Sequence, residues 1–228
     1  MTEVMLKSKT GLPKPGFPQG VELREEARKA RHRLYPVSAV YTAYSLAVVV
    51  AALASHASWR TVLTFYLLGG VSWTWVEYMA HRHVLHGAFP DGGGLRRLLH
   101  RAFDHLHWEH HARPWDGNHI NGTLKDTLPV VLVLGSLSFL APLPTLPVLV
   151  AGLIQFYILE EWVHHSVHFC HFDSRYFIYI RKHHLFHHSM RGSEVAYGLT
   201  SGLWDAVLET RIPGADRKAL YSEADSSR

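Results

Sequence analysis

Formal charge disappears from the chain in three stretches. Residues 37–59 carry none, and His56 is their only group that titrates near neutrality. Arg60 interrupts, and residues 61–76 form a second uncharged run. The third, residues 127–159, is 33 residues long and contains Pro129, Pro142, Pro144 and Pro147. As a helix rising about 1.5 Å per residue, the first run is long enough for a hydrocarbon core of about 30 Å. The short connection at residues 55–60 predicts an antiparallel hairpin with the second run. Straight, the third run would measure about 50 Å, too long for one crossing and short for two full ones. It is therefore expected to turn between Pro142 and Pro147, with tilted or incompletely spanning arms.

Residues 1–20 combine Pro, Gly and Lys and read as a flexible arm, without the apolar centre of a cleavable signal peptide. Residues 21–33 turn charged and helical, offering Arg24, Arg28, Lys29, Arg31 and Arg33 to anionic headgroups or to water. Of the 23 Lys and Arg residues, 22 lie in residues 1–36, 81–126 and 164–228, and only Arg60 lies in the loops between them on the other side of the runs. Positive residues favour the cytoplasmic side, so both termini and the segments following the hairpins are expected there. A soluble protein would have to bury two long uncharged helices and a Pro-broken hairpin inside a small chain. The expected fold class is therefore all-α, an integral membrane protein with about four transmembrane or partly spanning helices and a cytoplasmic helical cap. The charges flank the runs instead of forming a stripe, which favours a membrane surface over nucleic acid. A single cysteine, Cys170, excludes an intramolecular disulfide framework. Gly92, Gly93 and Gly94 form a loop that lacks the strand and the Gly-Lys-Ser/Thr of a phosphate cradle.

Candidate chemistry concentrates in histidine. Seventeen of the 19 histidines fall within residues 81–188. His81 and His86 stand five apart in EYMAHRHVLHG, and His107, His110 and His111 form H-x-x-H-H in HLHWEHHARPWD. Downstream, His164 and His168 stand four apart in EEWVHHSVHF, and His184, His187 and His188 repeat H-x-x-H-H in KHHLFHHS. Residues three and four apart share a helix face, so each H-x-x-H-H is expected to aim three imidazoles at one point. His81 and His86 lie too far round a straight helix to converge, and that helix is expected to end between them. Ten imidazoles exceed the needs of one tetrahedral zinc and fit two metal ions with room for water or dioxygen. Imidazole suits iron, copper, nickel and zinc alike, so the ligand type leaves the metal open.

These boxes resemble those of the membrane fatty acid hydroxylase and sterol desaturase superfamily over residues 71–210, most closely its fatty acid 2-hydroxylase branch. Glu77 to His86 is similar to E-Y-x-x-H-R-x-x-x-H, His110 to Asp116 to H-H-x-x-P-x-D, and Tyr197 to Asp205 to the G-x-T-S-x-x-W-D tail. The resemblance implies a non-haem di-iron centre on His81, His86, His107, His110, His111, His164, His168, His184, His187 and His188. Zinc can replace iron at such ligands in a purified sample. It also implies hydroxylation of a lipid acyl chain, for a fatty acid or fatty-acyl lipid at position 2, with O2 and two external electrons. The domain division expected is an arm and basic helix over 1–36, the hydroxylase-like membrane domain over 37–210 and a tail over 211–228.

Carboxylates that accept the outward N–H of a ligand histidine would orient it. Glu77, four residues before His81, shares its helix face, and Asp116, Glu160 and Glu161 are further candidates. Asp116 can equally cap a turn after Pro114, and Glu160 and Glu161 can mark the end of a span. The resemblance promotes Asp205. His83, His100, His105, His165, His171 and His183 fall outside the boxes and are expected at the surface or behind the ligands. Trp73, Trp75, Phe156 and Tyr157 can line an acyl path or serve as span packing. No dinucleotide motif or cysteine cluster is present, and 36 residues before the first run are too few for a cytochrome b5 domain. A separate electron donor of cytochrome b5, ferredoxin or flavoprotein type is expected. Carotenoid or sterol hydroxylation or desaturation is the alternative within the superfamily. A membrane metal transporter, which needs ionisable residues inside its spans, is the alternative of another class.

Overall fold

The computed structural model describes residues 6–7, 13–14, 22–86 and 105–222. The Gly92 to Gly94 loop, His100 and the end of the tail lie outside the described residues, as does the side chain of His105. Two short strands, β1 (Leu6–Lys7) and β2 (Pro13–Lys14), pair antiparallel with Leu6 opposite Lys14. All other regular structure among the described residues is helical.

Helix α1 (Leu23–Ala54) runs through Pro36 without a break, so the charged segment and the first apolar run are one element. The sequence reading places a boundary at 36 because formal charge disappears there, and Pro36 at that point removes an internal hydrogen bond. The helix is held across it by Ala27, Ala30, Leu34, Val37, Tyr41, Ser45 and Val48, a buried stripe at spacings of three and four. Tyr41 meets Thr127 (OH to Oγ1, 2.7 Å), and Ser45 Oγ donates to Ala151 O at 3.0 Å.

Helix α2 (Trp59–Ala80) returns beside α1 and continues into a π-helical turn, His81–Leu85. After α3 (His105–Ala112), helix α4 (Leu124–Leu140) starts where Asp126 reaches back to the Thr123 N–H at 3.0 Å, and it contains Pro129. The chain turns through residues 141–145, carrying Pro142 and Pro144, into α5 (Leu146–Phe169), with Pro147 in its first turn. Thus the expected proline hairpin is present. Helices α6 (Arg175–His187), α7 (Leu203–Val207) and α8 (Gly214–Ser222) complete the described chain.

Helix α5 is the centre of the bundle. Val150, Ile154 and Ile158 pack on Val37 and Tyr41 of α1, while Val148 and Ala151 pack on Val48 and Val62. Against α2 the approach is backbone to backbone. A Cβ on Gly69 would lie 2.0 Å from Leu149 O, and one on Gly152 would lie 2.0 Å from Tyr66 O. Small residues at both positions allow that contact. Among the described residues, α1 and α5 are the two helices whose length and composition suffice to cross a membrane. The close α2–α5 packing carries the C-terminal ends of both helices to the same level, where the histidines stand.

Candidate metal centre

The ten histidines of the boxes gather into two adjoining groups of five. His81, His86, His107, His111 and His187 form the first, and His110, His164, His168, His184 and His188 the second. Within each group the facing nitrogens all lie within 4.8 Å of one another. The rings of His111 and His188, at the boundary, have centroids 4.3 Å apart.

Two expectations about local geometry are corrected. The helix carrying His81 does not end before His86; it widens. The His86 N–H bonds to His81 O at 3.0 Å, the i to i+5 pattern of a π turn. Residues five apart differ by about 140° on an α-helix, and the wider turn brings them round together. The two ring centroids are 5.0 Å apart. Nor does each H-x-x-H-H aim at a single point. His107 and His111 face the first group while His110 faces the second; His184 and His188 face the second while His187 faces the first. Positions i+3 and i+4 lie on opposite sides of position i, about 100° apart, so the i, i+4 pair stays together and the residue between them departs.

The nitrogen spacing tests whether a metal fits. In the first group His86 Nε2 lies 2.8 Å from His107 Nε2 and 2.9 Å from His187 Nε2. In the second, His110 Nε2 and His164 Nε2 are 3.0 Å apart, and His184 Nε2 is 2.9 Å from both His168 Nε2 and His188 Nε2. Metal–imidazole bonds of about 2.0–2.1 Å place neighbouring ligand atoms about 2.9 Å apart at right angles and about 3.4 Å apart in a tetrahedron. The observed spacing fits right-angled coordination by more than four ligands. Several buried ring nitrogens, among them His81 Nε2 and His111 Nε2, have no hydrogen-bond partner among the described residues, as expected of atoms shaped for a cation.

Protonation is consistent with that role. Burial lowers His86 to a pKa of about 4. Burial and neighbouring imidazoles lower His187 to about 3 and His111 to about 2. His81, His107, His110, His184 and His188 are held well below the usual imidazole range, first by burial and then by each other. The rings are neutral and offer a lone pair.

Carbonyls, not carboxylates, orient two of them. His81 Nδ1 donates to Tyr197 O, and His187 Nδ1 donates to Val195 O at 2.7 Å. Each bond fixes the tautomer that leaves Nε2 with its lone pair. Ala196, between these carbonyls, is buried in the left-handed region at φ 60°, and its N–H bonds to Thr210 O at 2.8 Å. That conformation costs a non-glycine residue about 1–2 kcal/mol, tolerated because its neighbours are fixed on both sides. Neither Val195 nor Tyr197 carries a side-chain signal for this task, so sequence reasoning had none to find.

The expected carboxylates act one step further out. Glu77 accepts from Leu199 N (2.5 Å), Thr200 N (2.9 Å) and Thr200 Oγ1 (2.6 Å), not from His81. Asp205 accepts from Tyr197 N and Gly198 N, both at 2.9 Å, from Thr210 Oγ1 and from His183 Nε2. Burial pushes the Asp205 carboxyl up, but the bonds from His183, Thr210 and Gly198 outweigh it and hold it below its ordinary value. Both clamp the segment whose carbonyls hold His81 and His187. Asp116 accepts from Asn118 N and His119 Nδ1 at 3.0 Å, the turn-capping role, and touches none of the ten. Glu161 accepts from Asn121 Nδ2 at 2.6 Å, and both Glu160 and Glu161 are buried within α5. Among the remaining histidines, His83 and His171 are exposed, while His165 is buried beside Trp162.

A sequence model described as fatty acid hydroxylase matches residues 65–210. The chain is 28% identical over 149 residues to fatty acid 2-hydroxylase of Rattus norvegicus, covering 65% of this chain and 39% of that protein. It is 31% identical over 155 residues to dihydroceramide fatty acyl 2-hydroxylase FAH2 of Arabidopsis thaliana, covering 68% and 62%. It thus spans about two fifths of the rat protein's length and less than two thirds of the plant protein's. Full-length scs7p, solved with only its hydroxylase domain visible, superposes with a TM-score of 0.66 at 21% identity, covering 80% of this chain and 67% of that one. At that identity the likeness concerns the fold.

Proposed function

The chain belongs to the fatty acid hydroxylase family, and from that premise we propose that it is a membrane-bound, non-haem di-iron oxygenase that hydroxylates a lipid acyl chain, at position 2 of a fatty acid or fatty-acyl lipid. The observation that carries this reading is the pair of adjoining five-histidine groups. Relatives named for fatty acid and ceramide hydroxylation support the substrate class. The overall change is C–H + O2 + 2 electrons + 2 protons giving C–OH and water. Two iron ions would supply the redox chemistry with dioxygen that an unactivated C–H bond requires. The chain's own part is to hold ten neutral imidazoles in place, through the Val195 and Tyr197 carbonyls and the Glu77 and Asp205 clamps behind them. A separate protein would supply the electrons.

A bilayer setting is supported by the outward apolar surface. Leu46, Val50 and Leu53 of α1, Leu63, Leu67 and Val71 of α2, and Leu132, Val133 and Leu137 of α4 are exposed. Such a surface is costly in water. On this reading α1 and α5 span, while α2 and the 17-residue α4 span wholly or in part. The 22-to-1 charge asymmetry supports a cytoplasmic position for both termini and the histidines. The edge-to-face pair Trp73 and Tyr157, with centroids 5.3 Å apart, stands where α2 and α5 approach the centre and would line the acyl path.

Lipid mass spectrometry of host cells expressing the chain, its His184→Ala variant or neither tests this directly. A 2-hydroxy acyl lipid that requires both the chain and His184 is expected. A hydroxylated or desaturated sterol or carotenoid in its place would overturn the acyl reading. Reporter fusions after Arg113 and at the C-terminus should both read cytoplasmic, and an external signal at either refutes the orientation.

A further inference from the structure

A cavity of about 290 Å³ lies beside the histidine groups, and none of the ten histidines lines it. Its walls include Tyr179 and His183 from α6, Gly202, Arg211, and Arg217 and Tyr221 from α8. Arg211 and Arg217 are exposed, and neither has an ion-pair partner among the described residues. The acids nearby are already engaged. Asp205 holds four donors, His183 Nε2 among them, and Asp216 holds Arg191 at 2.8 Å. The Tyr221 hydroxyl is buried with no hydrogen-bond partner among the described residues, an arrangement that normally signals a missing acceptor. Lys182 adds positive charge, its Nζ 5.0 Å from the Tyr221 ring. At the floor a Cβ on Gly202 would lie 2.0 Å from the Tyr179 hydroxyl, so the lack of a side chain there leaves that hydroxyl room.

Among the described residues, two guanidinium groups and a phenol without partners, and no free carboxylate in the lining, make a site for an oxyanion. Arginine suits phosphate because its planar fork donates two parallel hydrogen bonds. The cavity is far larger than a bare phosphate, and tyrosine rings with Ile212 and Ala206 supply apolar wall. We propose that this cavity binds a phosphate group carried on a small organic body, with Arg211 and Arg217 gripping the phosphate and the Tyr221 hydroxyl donating to it. The ligand is a soluble phosphate ester or the headgroup of a phosphate-bearing lipid. Arg211, Arg217 and Tyr221 all lie beyond residue 210, where the family match ends, while Tyr179, His183 and Gly202 lie within it. The site does not depend on the metal or the hydroxylation reading.

The test uses the full chain in detergent. Calorimetry with inorganic phosphate and glycerol 3-phosphate examines the soluble source. Native mass spectrometry with phosphatidic acid against diacylglycerol examines the lipid source. Arg211→Gln combined with Arg217→Gln should weaken binding at least about tenfold, since two charge-assisted contacts are lost. Tyr221→Phe should weaken it a few-fold. Arg60→Gln with Lys125→Gln, the same charge change at exposed positions outside the cavity, should leave it unaltered. Circular dichroism and metal content report whether each variant is folded. A loss confined to the cavity variants supports the site, and the probe that shows it names the source. Equal binding by both double variants, or no binding of any phosphate probe by the unaltered chain, overturns the proposal.

Discussion

The first site, on His81, His86, His107, His111 and His187, and the second, on His110, His164, His168, His184 and His188, have the same plan. Each takes a pair from the end of a long helix, a pair four apart from a short one, and a fifth histidine from the opposite half of the chain. They differ in how they are held. In the first, His86, His107 and His111 are half-buried, and the Tyr197 and Val195 carbonyls orient His81 and His187. In the second, four of five are buried, and Nδ1 of His110, His184 and His188 meets no acceptor among the described residues. The first is fixed by a clamped loop and the second by packing. A binding site can be made rigid either way, and this molecule uses both side by side.

The largest effect should come from the crossed histidines. His187→Ala is expected to empty the first site and His110→Ala the second, each reducing bound metal from about two ions per chain to about one and abolishing hydroxylation. Metal analysis on purified variants decides it, and loss of both ions from either variant would mean that the two sites are one unit. Acid should come next. In metal-free protein the folded His86, at about 4, and His187, at about 3, lie below the unfolded value of about 6.5. The unfolded chain therefore binds more protons, and stability is full above about pH 6.5 and falls as pH drops below it. Histidine NMR should show His86 protonating before His187, and the reverse order would contradict His86 as the more exposed of these two first-site residues.

Glu77→Gln should act on the first site alone. It weakens the hold on Leu199 and Thr200, and with it the Tyr197 carbonyl, so a loss of about 10–100-fold in metal affinity is expected there. A competing chelator measures both sites, and an equal loss at the second would remove the distinction. The smallest effect should be that of His183→Ala. His183 is buried on Asp205, and losing that bond costs about 1.5–3 kcal/mol, a Tm decrease of roughly 3–12 °C with both ions retained. Loss of metal without a change in Tm would instead make His183 a ligand.

The helices and the proline hairpin were legible because charge-free runs and prolines act locally. The crowding of ten histidines was legible because spacings of three and four report a helix face. Their division was not read out, although it follows from the same angles, since His107 and His111 diverge from His110. The π turn was hidden because an i to i+5 bond is selected by packing, and nothing in Arg82, His83, Val84 or Leu85 marks it. The Tyr197 and Val195 carbonyls were hidden because a main-chain acceptor has no letter of its own. Glu77 drew notice through its spacing to His81, but its carboxylate reaches a loop more than 120 residues away in sequence.

The exchange of His110 for His187 gives the molecule a form of self-inspection. Severed at the turn between α4 and α5, each fragment would keep four ligands for its own ion and hold one that belongs to the other. Neither fragment could complete a five-ligand site alone, and a filled pair of sites would clasp both, bridging separate stretches of chain as a crosslink does. Filling would then register that both halves have folded and met, and a chain with one half misassembled would be left without a complete pair of sites.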